Sequence, residues 1–211
     1  VNDPARMGAS YAGVVQTSDG NNTISIRGNS PYGLIWRMEG VDIPNPNHFS
    51  GVASSGGGIS ILSSQLLTNS DFMTGAFPAE YGNALSGVFD LNLRKGNSDK
   101  NEYAIQTGMI GIEFSAEGPL EKNSGASFLI NARYVNFSYL NKLNLIDLGE
   151  TNIAPQSKDL VFNFNIPAKK SGNFNLFGFY GSSKIGKEAV HDSTQWKTSN
   201  DRWEELQGQG A

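Results

Sequence analysis

The sequence predicts two β-rich parts that meet near residue 97: a small α+β domain over residues 1–96, then a run of long antiparallel strands over residues 97–211. Three observations predict this. Glycine is abundant, 25 of 211 residues against roughly 15 at the usual ~7%, as short extended segments joined by tight turns require. Charged residues make up only 17% of the chain, below the roughly 25% of soluble domains. Finally, the pattern changes in kind. Residues 1–96 mix short helical and strand signals with Gly/Ser/Asn loops, whereas residues 101–182 are mostly segments of period two. The polar, turn-rich stretch Lys95 to Lys100 suits the joint between them.

In the first part, Asp3-Pro4 offers an N-cap and a first-turn proline for a short helix through about Ser10. Thr23 to Gly28 alternates, with Ile24 and Ile26 on one face, and reads as a strand. Leu34 to Met38 is a second strand, ended by Glu39-Gly40. Ile59 to Leu67 follows the run Gly56-Gly57-Gly58 and carries Ile59, Leu62 and Leu66 at helical spacing. Asp71 to Phe77 and Gly87 to Arg94 complete a set of about four strands with two or three short helices, enough for a small α+β layer.

The second part is expected to hold strands at about 103–117, 126–136, 159–167 and 172–182. Ile110, Ile112, Phe114 and Ala116 alternate with Gly111, Glu113, Ser115 and Glu117. Phe128, Ile130, Ala132 and Tyr134 form the next apolar row, Leu160, Phe162, Phe164 and Ile166 a third, and Phe174, Leu176, Gly178 and Tyr180 a fourth. The opposite faces are polar and rich in Asn. Such lengths match the ~9–11 residues with which a tilted strand crosses a bilayer, but one buried face of a soluble β-sandwich has the same pattern. The closing stretch Trp203 to Ala211 has no strand or helix signal. With Val1 in place of an initiator Met and no signal peptide, the chain reads as a fragment of something larger.

Several function classes fall away. No window approaches the ~18 consecutive apolar residues of a membrane helix, while a membrane β-barrel stays compatible because two unlike faces average out. Lys+Arg 16 against Asp+Glu 20 leaves a net charge of -4 without a basic cluster, which argues against nucleic acid. Zero Cys removes thiolate metal sites and disulfides. His48 and His191 are far apart in sequence and lie in no metal-ligand spacing. Ser54-Ser55 and Ser63-Ser64 lack a nucleophile elbow, the glycine run lacks the P-loop lysine, and Glu204-Glu205 lie in a polar tail. The expectation is no enzyme, no metal and no cofactor.

Four strings taken in order resemble a known family: Asn22 to Asn29 (NTISIRGN), Leu34 to Ile43 (LIWRMEGVDI), Gly75 to Gly82 (GAFPAEYG) and Ser86 to Arg94 (SGVFDLNLR). They resemble the plug of a TonB-dependent outer-membrane receptor, of the Bacteroidetes type. The resemblance implies a plug over residues 1–96 and, after it, about four antiparallel transmembrane strands of a barrel of about 22. It also implies uptake of a scarce large solute, with energy delivered by TonB with ExbB/ExbD to a box upstream of these residues. Lipid would surround the strands, and a surface lipoprotein lid of the SusD kind is a further possible partner. Thr74 stands where the family has a second plug arginine, and Glu39 where it has Asp.

The family's plug arginine is Arg27, which the resemblance places in a latch with barrel carboxylates beyond residue 211. A guanidinium suits such a place because it makes bidentate bonds to carboxylates. A pair within the domain, with Glu39 or Glu80, is the alternative, and the two are compatible. Gly28, Gly40, Gly75 and Gly82 each close a strand or turn, where positive φ is easiest without a Cβ. Two loops correspond to the family's solute-facing segments. One holds Asn29, Ser30 and Tyr32, the other Asn45, Asn47, His48 and Phe49; rigid turns without solute contact are the alternative. A secreted or surface β-rich binding module is the competing function, and it needs a second sheet over Ile110, Ile112, Phe128, Ile130, Phe162, Phe164 and Leu176.

Overall fold

The structure, a computed structural model, describes residues 3–51, 54–108, 111–122, 124–138, 154–168, 172–186 and 205–210, the last by backbone alone. Helix α1 (Pro4–Gly8) starts where a cap and a proline coincide: Asp3 Oδ1 accepts from the amides of Ala5 at 2.9 Å and Arg6 at 3.3 Å, and Pro4 loses no helical bond. It ends earlier than Ser10. Strand β1 (Val14–Gln16) pairs antiparallel with β2 (Ile24–Ile26). Next come β3 (Leu34–Met38), β4 (Val41–Ile43), β5 (Asn47–His48), β6 (Ile59–Ser60), β7 (Asp71–Met73) and β8 (Gly87–Leu91). They form a four-stranded sheet in the order β4-β3-β8-β7 and a separate β5-β6 pair. The β3–β8 ladder is parallel, from Leu34 opposite Gly87 to Met38 opposite Leu91.

The helix expected over 59–67 does not form. Ile59–Ser60 is a strand and Ser64–Leu66 a single 3-10 turn. Serine chemistry explains the difference: Ser60 Oγ accepts from the Leu62 amide at 3.1 Å and Ser63 Oγ from the Gln65 amide at 3.4 Å, so side chains take the donors a helix would use. Strands β1, β4 and β5 are too short to show alternation.

In-register pairing stacks three rings across the sheet. Trp36 of β3, Phe89 of β8 and Phe72 of β7 lie side by side, with centroids 4.4 Å apart (Trp36–Phe89) and 4.2 Å apart (Phe72–Phe89). Trp36 Nε1 donates to Ser55 O at 2.9 Å, so the buried indole is satisfied. Gly8 lets α1 lie on this stack, since a Cβ there would sit 2.7 Å from Phe89 Cζ.

Among the described residues the second part is one six-stranded antiparallel sheet with its strands in chain order: β9 (Glu102–Thr107), β10 (Gly111–Pro119), β11 (Ser127–Asn136), β12 (Ala154–Ala168), β13 (Gly172–Gly186) and β14 (Glu205–Gly210). Two expectations are corrected. The segment 103–117 is a hairpin rather than one strand, closed where the Gly108 amide donates to Gly111 O at 2.9 Å. The tail is a strand after all, paired with β13 from Ile185–Glu205 to Tyr180–Gly210; it gains its order from the backbone ladder, which an alternating apolar pattern does not report. The expected strand at 159–167 runs from Ala154 to Ala168, and that at 172–182 runs on to Gly186. Ile110 lies outside the described residues.

Register places the four apolar rows on one face of this wall. Phe114 lies opposite Ala132, Ala132 opposite Leu160, and Leu160 opposite Tyr180; Phe128 lies opposite Phe164, and Phe164 opposite Leu176. Ile112, Leu176 and Phe174 are 48%, 52% and 61% exposed, so among the described residues nothing covers this face. The inner face is different. Leu129, Val161 and Phe179 are buried in the same cluster as Ile61, Trp36, Met38 and Leu91 of the N-terminal domain, so domain and wall share a core.

Candidate functional site

The candidate site is the polar seam between the N-terminal domain and the inner face of the wall. Arg133 of β11 and Asp159 of β12 are directly opposite each other. Asp159 Oδ2 accepts from Arg133 Nε at 2.9 Å, and its Oδ1 bonds Nε2 of His48, carried in from β5. Arg133 also donates to the backbone oxygen of Ser60 on β6. His48 and Asp159 are 3% and 5% exposed, so this charge is held in a desolvated place and needs its partners. Gly181, the neighbour of Asp159 on β13, makes the room: a Cβ there would lie 2.5 Å from Ile61 Cδ1 and 2.9 Å from His48 Cε1.

A second contact lies at the β3–β4 turn. Glu39 (φ 50°) and Gly40 (φ 81°) are both left-handed, as a two-residue hairpin turn of the primed kind demands. Glu39 Oε1 accepts from the Leu93 amide at 2.6 Å and Oε2 from Asn175 Nδ2 at 3.1 Å, so this uncommon backbone state aims a carboxylate at the wall. A third lies where the chain enters the wall. Arg94 grips Glu117 with two parallel bonds of 2.7 and 2.8 Å; Glu117 also accepts from the Asn97 amide, and Asn163 Nδ2 donates to Arg94 O. Gln65 Nε2 donates to Gln106 Oε1 at 2.8 Å.

The residues expected from sequence are placed as follows. Arg27 is exposed, with φ 51°, in a turn closed by Asn29 N to Ile26 O at 2.9 Å; its guanidinium lies over Gly75, where a Cβ would stand 3.3 Å from Nη1. It pairs with neither Glu39 nor Glu80. Glu39 is occupied as described, and Glu80 lies 3.5 Å from Arg37. Gly28 has φ 76° and Gly40 81°, but the positive φ expected at Gly75 falls on Ala76 (55°), and Gly82 is right-handed at φ -58°.

Asn29, Ser30 and Tyr32 lie on an exposed loop, with Tyr32 70% exposed and Ser30 capping a 3-10 turn. In the second loop Asn47 and His48 are buried, while Asn45 and Phe49 are half-buried. Asn45 Nδ2 donates to the backbone oxygens of Ser54 and Gly56, Asn47 is 1% exposed, His48 is held by Asp159, and the Phe49 ring packs against the His48 ring at 6.0 Å. Short polar side chains there have backbone partners within reach, and those partners win over solvent.

Sequence reasoning missed Arg94, Glu117, Arg133, Asp159 and Asn175. For Glu117, Arg133 and Asp159 the signal was charge on the polar stripe of a wall strand, which marks a face that meets protein. On the far side of the β3–β8 pair, Tyr81 Oη donates to Asp90 Oδ2 at 2.6 Å beneath the Arg37 guanidinium, 5.0 Å from the ring centroid. The hydrogen bond to Asp90, then burial and the nearby carboxylates, push the Tyr81 phenol up to about 12.

No protein-family model and no curated sequence matches the chain. Solved structures do. The siderophore receptor PirA from Pseudomonas aeruginosa superposes with a TM-score of 0.58 at 16% identity, over 88% of this chain and 31% of that one. A mutant of the ferric enterobactin receptor PfeA from the same organism, in complex with enterobactin, gives 0.55 at 17%, over 88% and 31%. The chain thus spans about a third of the length of these structures. Its neighbours are receptors rather than enzymes, and the chain has the fold of the corresponding part of a siderophore receptor.

Proposed function

We propose that the chain belongs to a TonB-dependent receptor of the outer membrane, with residues 1–96 as plug and residues 97–211 as the first part of the barrel. The receptor imports a scarce large solute, and the plug gates its passage. One observation carries the reading: among the described residues nothing covers the wall's apolar face across β9 to β13, while its polar face holds the N-terminal domain, the inverse of a soluble sandwich. The likeness to PirA and PfeA supports it and brings a ferric siderophore forward as the solute class. The Bacteroidetes-type affinity rests on the plug strings alone. TonB with ExbB/ExbD, outer-membrane lipid and a surface lipoprotein are the partners of this reading.

Arg27, exposed beside Gly75, is the plug residue that would reach carboxylates of the wall beyond residue 211, while Asn29, Ser30 and Tyr32 form the solute-contact loop. The full-length product, fractionated from cells, is expected in the outer membrane and to need detergent for release; recovery in the soluble periplasm or the medium would overturn the reading in favour of a secreted binding module. Arg27→Ala is expected to loosen the plug, seen as leakage of small antibiotics through the full-length receptor. Unchanged leakage and uptake together would refute the latch.

A further inference from the structure

We propose that the β5–β6 hairpin is a dedicated anchor of the N-terminal domain on the wall, with His48 and Ile61 as its key and Asp159, Arg133 and Gly181 as its socket. The contact itself is independent of the receptor reading; its meaning as a plug anchor rests on that reading.

Charge, shape and preorganisation agree at this one place. In charge, the two oxygens of buried Asp159 are divided between the wall and the domain: Arg133 takes Oδ2 and His48 takes Oδ1. Withdrawal of the hairpin would strip one oxygen of its partner and take Ser60 O from Arg133, leaving a desolvated ion pair half-satisfied. In shape, the missing side chain of Gly181 is the hollow into which Ile61 and the His48 ring fit.

In preorganisation, the hairpin is held by bonds within the domain that do not involve the wall. Asn22 Nδ2 donates to Asp3 Oδ2 at 2.8 Å and to Asn47 Oδ1 at 2.6 Å, and Asn22 Oδ1 accepts from the Gly57 amide at 2.7 Å. The Gly58 amide donates to His48 O at 2.8 Å, and a Cβ on Gly57 would lie 2.4 Å from that oxygen, so the glycines let β6 close on β5. A Gly/Ser-rich loop ordinarily opens easily. Here the loop is bonded through Gly57 to Asn22, and the two strands at its base are bonded through His48 and Ser60 to the wall, so the rest of the plug opens before it does.

Hydrogen exchange followed by mass spectrometry on the detergent-solubilised full-length receptor tests this. In the wild type, amides of residues 54–62 are expected to exchange more slowly than those of residues 29–33. His48→Ala is expected to speed exchange at 54–62 by about 100-fold, leaving the β3–β8 amides unchanged. His48→Gln, which keeps a side-chain N–H, restores most of the protection. Gly181→Leu, which leaves every charge in place and fills the hollow, carries the same expectation as His48→Ala. Equal exchange of the two loops in the wild type, uniform loosening of the whole domain in His48→Ala, or no rescue by glutamine would each overturn the anchor. Sedimentation of the full-length receptor with cell membranes before detergent is added reads the receptor assignment separately.

Discussion

Leu176→Arg separates a lipid-facing wall from a soluble sheet by the size of its effect. Leu176 lies opposite Phe164, which lies opposite Phe128, so it sits within a continuous apolar row, 52% exposed. The polar border of the face is the row Lys158–Ser182. At a rise of about 3.4 Å per residue, Ser182 is roughly 20 Å from Leu176 along β13. A strand tilt of about 40° reduces that to roughly 15 Å of depth, half of a hydrocarbon core of about 30 Å. Leu176 is therefore near the midplane if Ser182 is at the interface. An arginine there is expected to cost about 2–4 kcal/mol, and one at position 182 about 0–1 kcal/mol. On a solvated sheet both changes would stay within about 0.5 kcal/mol. Guanidinium titration of the full-length receptor folded into lipid vesicles measures both. Equal, near-zero costs at the two positions would refute the lipid face.

Trp36→Ala is expected to destabilise the protein by about 3–5 kcal/mol, because it removes the end of the three-ring stack. Trp36→Phe keeps a ring but leaves Ser55 O without its donor, at about 1–3 kcal/mol, and thermal unfolding of the two variants should rank them in that order. Gly87→Ala drives a Cβ to 2.3 Å from Ile26 Cδ1 and 3.1 Å from Met73 O, so a loss of about 1–3 kcal/mol is expected from the same measurement. The raised Tyr81 phenol makes a signed prediction. Below pH 10 its stabilisation is complete, and as pH rises toward about 12 the unfolded chain ionises first, so stability falls. Tyr81→Phe should remove that part of the alkaline loss in a pH series of unfolding curves.

What was legible in the sequence was what repeats. Phe128, Ile130, Phe162 and Phe164 share a face because period two leaves them no other choice, and α1 is written in Asp3-Pro4. The hairpin at Gly108 left a trace that the expectation of one strand over 103–117 passed over, a change of parity: Tyr103 and Ile105 are odd, whereas Ile112 and Phe114 are even, and only a turn puts all four on one side. What was illegible depends on residues distant in sequence. His48 in a loop with prolines and asparagines resembles a solute contact until Asp159, from the other end of the chain, is placed beside it. Glu39 and Arg27 both occupy strained turns, yet the partner that distinguishes them, Asn175, belongs to β13.

The two unlike faces of the wall also matter before the protein has folded. The mean hydropathy of the chain is -0.34, and among the described residues no helix is long and apolar enough to cross a membrane. On the receptor reading the chain must traverse one bilayer in order to settle in another. On that reading its attraction to lipid arises only when neighbouring strands pair and gather their apolar rows into one continuous face. On the same reading, pairing decides when the segment becomes insoluble in water.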